Sequence, residues 1–167
     1  DNSTWKDDKV EFTGITMPFT YYERCHESIE YTKAYLNSIS NQLLKSKDKH
    51  FYQILLFHSP ISILTAREDG LECLDRTDLI LSGHMHGGLT PPFLEKIFGK
   101  RGIIGPTNLK MRTIFPDYVR GRVNVNGTDA VISTGISKLN IPGTEILLPP
   151  SINEVIIKQK VLKKNNH

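Results

Sequence analysis

The hydrophobic and polar positions change their period several times along the chain, and each change predicts an element. Val10-Glu11-Phe12-Thr13-Gly14-Ile15 alternates apolar and polar, the pattern of a half-buried strand. Met17-Pro18-Phe19-Thr20-Tyr21-Tyr22 reads as a loop. Ile29, Thr32, Leu36, Ile39 and Leu43 then recur at helical spacing, with Tyr35 and Leu44 widening the stripe, and predict a helix from Ser28 to about Lys45. Ser28 suits its N-cap, and Lys45 and Lys47 stand where the helix dipole favours cations. Tyr52 to Phe57 is almost continuously apolar, as in a strand covered on both faces. Ile61, Leu64, Leu71 and Leu74 give a helical pattern to about Asp75, with a break signalled at Gly70. Asp78-Leu79-Ile80-Leu81 is a second short apolar run. Strand, helix and strand in this order predict a right-handed βαβ crossover, which sets the two strands parallel with both carboxyl ends on one rim.

Beyond that unit, Leu89 to Arg122 is the least regular stretch, because Pro91, Pro92, Gly99, Gly102, Gly105, Pro106 and Pro116 forbid a long element. Only Phe93 to Phe98 has room for an amphipathic turn or two. Gly121–Asn126 and Ala130–Thr134 read as strands joined by the hairpin signal Asn126-Gly127. Glu154–Val161 reads as a final strand, Val155-Ile156-Ile157 being strongly β-prone. Asp1 to Lys9 is polar and expected to fray, and the lysines and asparagines after Leu162 are expected to form a disordered tail. With no repeat and no linker, residues 1–167 are read as one α/β domain, a mixed sheet with flanking helices.

Composition narrows the partners only a little. A net charge of +3 over 167 residues does not imply nucleic acid without a localised patch. Seven of the basic residues (Lys96, Lys100, Arg101, Lys110, Arg112, Arg120 and Arg122) fall in the irregular stretch, beside exposable apolar residues. Such a loop suits an anionic or lipid-linked substrate, or an anionic membrane surface, unless its aromatics simply cover the sheet. Regular aromatic interleaving on a strand face, as nucleic-acid binding would need, is missing. Cys25 and Cys73 are too few and too far apart to be a disulfide framework and are read as free thiols in a reduced compartment. No run approaches the ~20 apolar residues of a membrane span, and no signal peptide is visible. These features favour a cytoplasmic or membrane-peripheral protein. The first residue is Asp1, so a leader, an anchor or a half-domain upstream stays open. Asn2-Ser3-Thr4 and Asn126-Gly127-Thr128 fit the glycosylation triplet, a pattern that arises often by chance.

The candidate chemistry lies where the two apolar runs end. Ser82-Gly83-His84-Met85-His86-Gly87-Gly88 places two histidines, fenced by glycines, after the second run. Ile54-Leu55-Leu56-Phe57-His58-Ser59-Pro60 ends the first run in a histidine followed by a helix breaker. Carboxyl ends of strands are where open α/β sheets place their sites, and neutral imidazole is the commonest metal ligand. His58, His84 and His86 are therefore candidate metal ligands; the competing reading is three unrelated surface histidines.

Strand-His-Ser-Pro, a helix, then strand-Gly-His-x-His-Gly-Gly resembles the last two metal-binding motifs of the calcineurin-like metallophosphoesterases. Val131-Ile132-Ser133-Thr134-Gly135-Ile136 is similar to that family's returning strand and glycine turn. Ile141-Pro142 and Leu148-Pro149-Pro150-Ser151-Ile152-Asn153-Glu154-Val155 resemble the proline-rich tail and last strand of its YkuE-type branch. The likeness runs from about Lys9 to Val161. It implies the C-terminal half of an αββα sandwich and hydrolysis of phosphate mono- or diesters at two metal ions (manganese, iron or zinc). His58 and His84 would serve one ion and His86 the other.

The family's Gly-Asp and Gly-Asn-His motifs do not occur before this rim, and the one Asp-x-His, Asp48-Lys49-His50, precedes the apolar run 52–57 instead of ending a strand. The resemblance therefore implies a chain that lacks the bridging carboxylates and the general-acid histidine. It would need an N-terminal half or a second chain to complete the site. Alone it is expected to bind at most one transition metal weakly. Two divalent ions bring four positive charges, and three neutral imidazoles offset none. The alternative is a scaffold or interaction protein that keeps the fold without the chemistry. Other H-x-H enzymes fit less well: a TIM barrel needs ~250 residues, and an all-β cupin conflicts with the helix at 28–45.

Overall fold

The computed structural model describes residues 2–18, 29–43, 50–99, 101–103, 116–134 and 152–158. The elements are β1 (Ser3–Asp7), β2 (Val10–Ile15), α1 (Ile29–Leu43), β3 (Tyr52–Phe57), α2 (Pro60–Glu68), β4 (Leu79–Ser82), α3 (Glu95–Phe98), β5 (Gly121–Val125) and β6 (Thr128–Ile132), with short 3-10 turns at Glu72–Leu74, His86–Leu89 and Pro92–Leu94. The strands form one mixed six-stranded sheet in the order β1-β2-β3-β4-β6-β5. The protein is α/β, as the alternation of periods predicts.

The centre of the sheet is parallel. β2 pairs with β3, β3 with β4, and β4 with β6, all in parallel register. β3-α2-β4 is the expected βαβ unit, and Ile54 lies opposite Leu79 across it. Its helix stops at Glu68, and Gly70 takes a left-handed φ of 72° before the Glu72–Leu74 turn, where the break was expected. β5 and β6 form an antiparallel hairpin through Asn126 and Gly127, with φ of 47° and 82°. Two successive positive φ values are the turn whose twist matches paired strands.

One face of the sheet carries the core. Thr13, Leu55, Ile80, Ala130 and Val123 run across it in register. Leu36 and Ile39 of α1 and Ile63, Leu64 and Ala66 of α2 belong to the same buried cluster. Thr32 and Leu36 are fully buried, so the predicted stripe of α1 is its core face. Arg67 fastens α2 to the far hairpin. Its guanidinium donates to Thr128 Oγ1 at 3.0 Å, to the Asn126 carbonyl at 2.9 Å and to Asp75 at 2.5 Å.

The opposite face is apolar and only partly covered. Trp5, Phe12, Ile54 and Leu79 form one row, and Leu56, Leu81 and Val131 another. Ile54 and Leu79 are buried, but Leu56 is 40% exposed and Trp5 59%. The expectation that β3 is covered on both faces is thus corrected at Leu56: α1 and α2 lie on the core face alone.

Two further expectations are corrected. Ser3–Asp7 does not fray, because its backbone pairs with β2 from Ser3 opposite Gly14 to Asp7 opposite Val10. Backbone pairing is indifferent to the polarity that suggested fraying. The second correction concerns the expected strand at Glu154–Val161: the described part, 152–158, joins no ladder, and Ile152, Val155, Ile156 and Ile157 are exposed. High β-propensity makes no strand without an edge to pair with. Residues 153–158 instead border a cavity of about 500 Å³ with Tyr52, Leu79, Arg122, Asp129 and Val131. Cys25, Ser28, Lys45, Lys47, Lys100, Lys110, Arg112, Phe19–Tyr22, Gly135–Ser151 and the tail from Gln159 lie outside the described residues. Cys73 is half-buried.

Candidate metal centre

Parallel pairing brings the first two candidate ligands together. β3 and β4 end side by side, so His58 and His84 leave adjacent strands, and the Gly83 amide donates to the His58 carbonyl at 3.1 Å. Their rings meet at a centroid separation of 4.5 Å with planes 57° apart. β6 ends on the same rim, where the Ser133 amide donates to the Ser82 carbonyl at 2.9 Å.

The loop that carries His84 and His86 is backbone-strained. His84, His86, Gly87, Gly88 and Leu89 all have positive φ, at 71°, 45°, 66°, 66° and 47°. Glycine takes this conformation without penalty, but His84, His86 and Leu89 carry a β-carbon into it, at a cost of order 1–3 kcal/mol each. Such strain persists only where the surroundings over-determine it. Here they do. A β-carbon on Gly88 would lie 2.3 Å from Gly102 Cα, so two backbones touch. The Ile103 amide donates to the Gly88 carbonyl at 2.9 Å, and Thr90 Oγ1 donates to that carbonyl at 3.1 Å. Thr134, at the exit of β6, approaches Gly87 from the other side.

Thr90, Gly102 and Thr134 hold the loop, and the sequence gives no sign of them. Gly102 and Thr134 approach from segments remote in the chain, and Thr90 Oγ1 also accepts from the Ile103 amide at 3.1 Å. Of the glycines that fence the histidines, Gly87 and Gly88 take the left-handed conformation.

Burial, and then the charge of His84, keep the pKa of His86 below the ordinary histidine value. His86 is therefore neutral at neutral pH, the form that can ligate a metal. Its Nδ1 is buried and bonds to no other described protein atom, so a nitrogen lone pair or proton is left unused in a place where that is costly. The donor chemistry fits a transition metal. The donor count does not close: no three His, Cys, Asp or Glu side chains among the described residues stand as a metal-binding group. The structure pairs His58 with His84 and leaves His86 beside them on the strained loop.

A groove of about 480 Å³ reaches this rim from the uncovered sheet face. Gly14, Leu56, Leu81, His58 and Gly83 line it. The histidines thus stand where the open apolar face and the carboxyl ends of the parallel strands meet. Comparison with models of known families, with curated proteins and with solved structures finds no match for this chain.

Proposed function

We propose that this chain is the histidine-bearing half of a metal-dependent phosphoester hydrolase of the calcineurin-like metallophosphoesterase kind. The observation that carries the reading is the pairing of His58 and His84, 4.5 Å apart, at the exits of adjacent parallel strands. His86, neutral and with an unused Nδ1, lies two residues on. His58 and His84 would hold one ion and His86 a second. An ion pair of this type activates a water for in-line attack and neutralises charge on the phosphoryl oxygens. The chain's own residues supply nitrogen donors and a rigid strained loop that aims them.

The carboxylates that balance such a pair come, in this reading, from an N-terminal half or from a second chain. The uncovered face supports it. A sheet with helices on one side and a half-exposed apolar surface on the other fits one layer of an αββα sandwich. A complementing layer laid over Leu56 and Trp5 would bring its own strand ends to the histidine rim.

The test is manganese binding and hydrolysis of bis(p-nitrophenyl) phosphate by this chain, beside His58→Ala and His86→Ala. The expected result is at most one weakly held ion per chain, lost in His58→Ala, with no appreciable turnover. Two ions with metal-dependent turnover would overturn the half-site. The absence of a three-donor group among the described residues favours a second reading, a non-catalytic scaffold. Failure of the wild type to bind manganese, iron or zinc would select it.

A further inference from the structure

Gly14 stands inside β2 at a place where nothing in the described chain requires a glycine. Its φ is not left-handed, and a β-carbon built on it would meet only Ser3 Oγ at 3.8 Å and the Ser3 carbonyl at 3.9 Å, both ordinary contacts. A side chain would therefore fit, and a β-branched one would favour the strand. Glycine weakens a strand from inside and often marks a place where a ligand or another backbone comes close. Among the described residues no group comes that close.

The space left free opens on the uncovered face and joins the histidine rim. Ser3, Gly14, Leu56 and Leu81 lie opposite one another in a single row from β1 to β4. The missing side chain makes a notch in that row, between Ser3 and the half-exposed Leu56. The notch belongs to the groove of about 480 Å³ that His58 and Gly83 also line. Its β1 side is braced. Asn2 Oδ1 accepts from the Thr16 amide at 2.8 Å, and the Tyr35 hydroxyl donates to the Thr16 carbonyl at 3.1 Å.

Charge narrows the occupant. No Asp, Glu, Lys or Arg among the described residues lines the groove, and His58 is the one ionisable side chain there. A second phosphate or any other charged group placed in it would lose water and gain no counter-ion. An uncharged chain or ring avoids that cost and takes Leu56 and Leu81 out of water. A side chain from a covering layer could fill the notch as well. Continuity with the histidine rim favours instead a group carried by the ligand of that rim.

We infer that the notch at Gly14 seats the apolar esterifying group of the phosphoester, so that the ligands are phosphate esters of an uncharged alkyl chain or ring and not polyanions. The inference rests on the phosphoesterase reading: the phosphate lies at the histidines, and its apolar group runs along Leu81 and Leu56 into the notch.

The experiment is calorimetric titration of methyl, butyl and octyl phosphate, with and without manganese, into wild type, His58→Ala, Gly14→Ala and Gly14→Val. Wild type with manganese should bind octyl phosphate about tenfold or more tighter than methyl phosphate, roughly twofold for each methylene that the half-open groove covers. That preference should shrink in Gly14→Ala and vanish in Gly14→Val, whose side chain fills the notch. In the wild type, with zinc replacing paramagnetic manganese, the octyl methylenes should give nuclear Overhauser contacts to the Leu56 and Leu81 methyls. This readout depends on no variant folding. Equal affinity for methyl and octyl phosphate, with manganese still required, would overturn the groove and leave the metal reading standing. A preference for octyl that survives in Gly14→Val would also overturn it, because the chain then lies elsewhere on the open face. Octyl phosphate binding indifferent to manganese and to His58→Ala would overturn the metal reading, and the phosphoester assignment with it.

Discussion

Gly88 is the position where a single atom matters most. Its φ of 66° disfavours any β-carbon, and the added atom would sit 2.3 Å from Gly102 Cα. Gly88→Ala should destabilise the chain by about 2–3 kcal/mol in urea unfolding, combining backbone strain with overpacking. It should also disorder the His84–His86 ring signals in NMR spectra. Arg67 is a different case, a buried cation with three named partners on the β5–β6 hairpin and Asp75. Arg67→Met should cost about 2–3 kcal/mol, because hydrogen bonds to a charged group are lost and Thr128 and the Asn126 carbonyl lose their donors. Arg67→Lys should recover little of it, since an ammonium cannot reproduce the fork.

Asp129 adds a pH dependence. Hydrogen bonds from Arg122 and then Asn124 hold its carboxyl below the ordinary aspartate value. The folded pKa is the lower one, so this stabilisation is present above the unfolded value and lost as pH falls through the folded one. Asp129→Asn should flatten the acid limb of the melting-temperature profile slightly, the pair being a surface one. An unchanged limb would remove the assignment.

Among the elements, β3-α2-β4 does the positioning. Parallel pairing and a short crossover put two histidines on one rim without any side-chain contact being needed. The strands' two faces differ sharply in what they can lose. Ile80, fully buried against α1 and α2, should cost 2–5 kcal/mol, roughly, on substitution by alanine. Leu56, on the uncovered face, should cost under about 1 kcal/mol. Equal losses in denaturant titrations would mean that the second face is covered in solution.

For the molecule as a whole, that face predicts behaviour in solution. An apolar sheet surface with Leu56 and Trp5 exposed should drive concentration-dependent self-association. Sedimentation should show it reduced by Leu56→Glu and unaffected by Phe93→Ser/Ile97→Ser. A wild type that stays monomeric at high concentration would count against the half-sandwich.

The sequence alone determined the local grammar: the stripe of α1, the βαβ unit, the break at Gly70, the Asn126-Gly127 hairpin and the histidines at strand ends. Each is written in a period or in a residue's own backbone preference, so neighbours a few positions apart suffice to read it. Tertiary structure decided what depends on distant segments. Ser3–Asp7 became a strand because β2 offered it an edge, whereas 152–158, richer in β-formers, stayed out of the sheet. Leu56 was left exposed although its run reads as fully buried, since periodicity cannot say whether a second layer exists. The histidine rim was legible as three residues at strand ends. Its clamping through Thr90, Gly102 and Thr134, and the unused Nδ1 of His86, were not, because they arise only when segments remote in sequence meet.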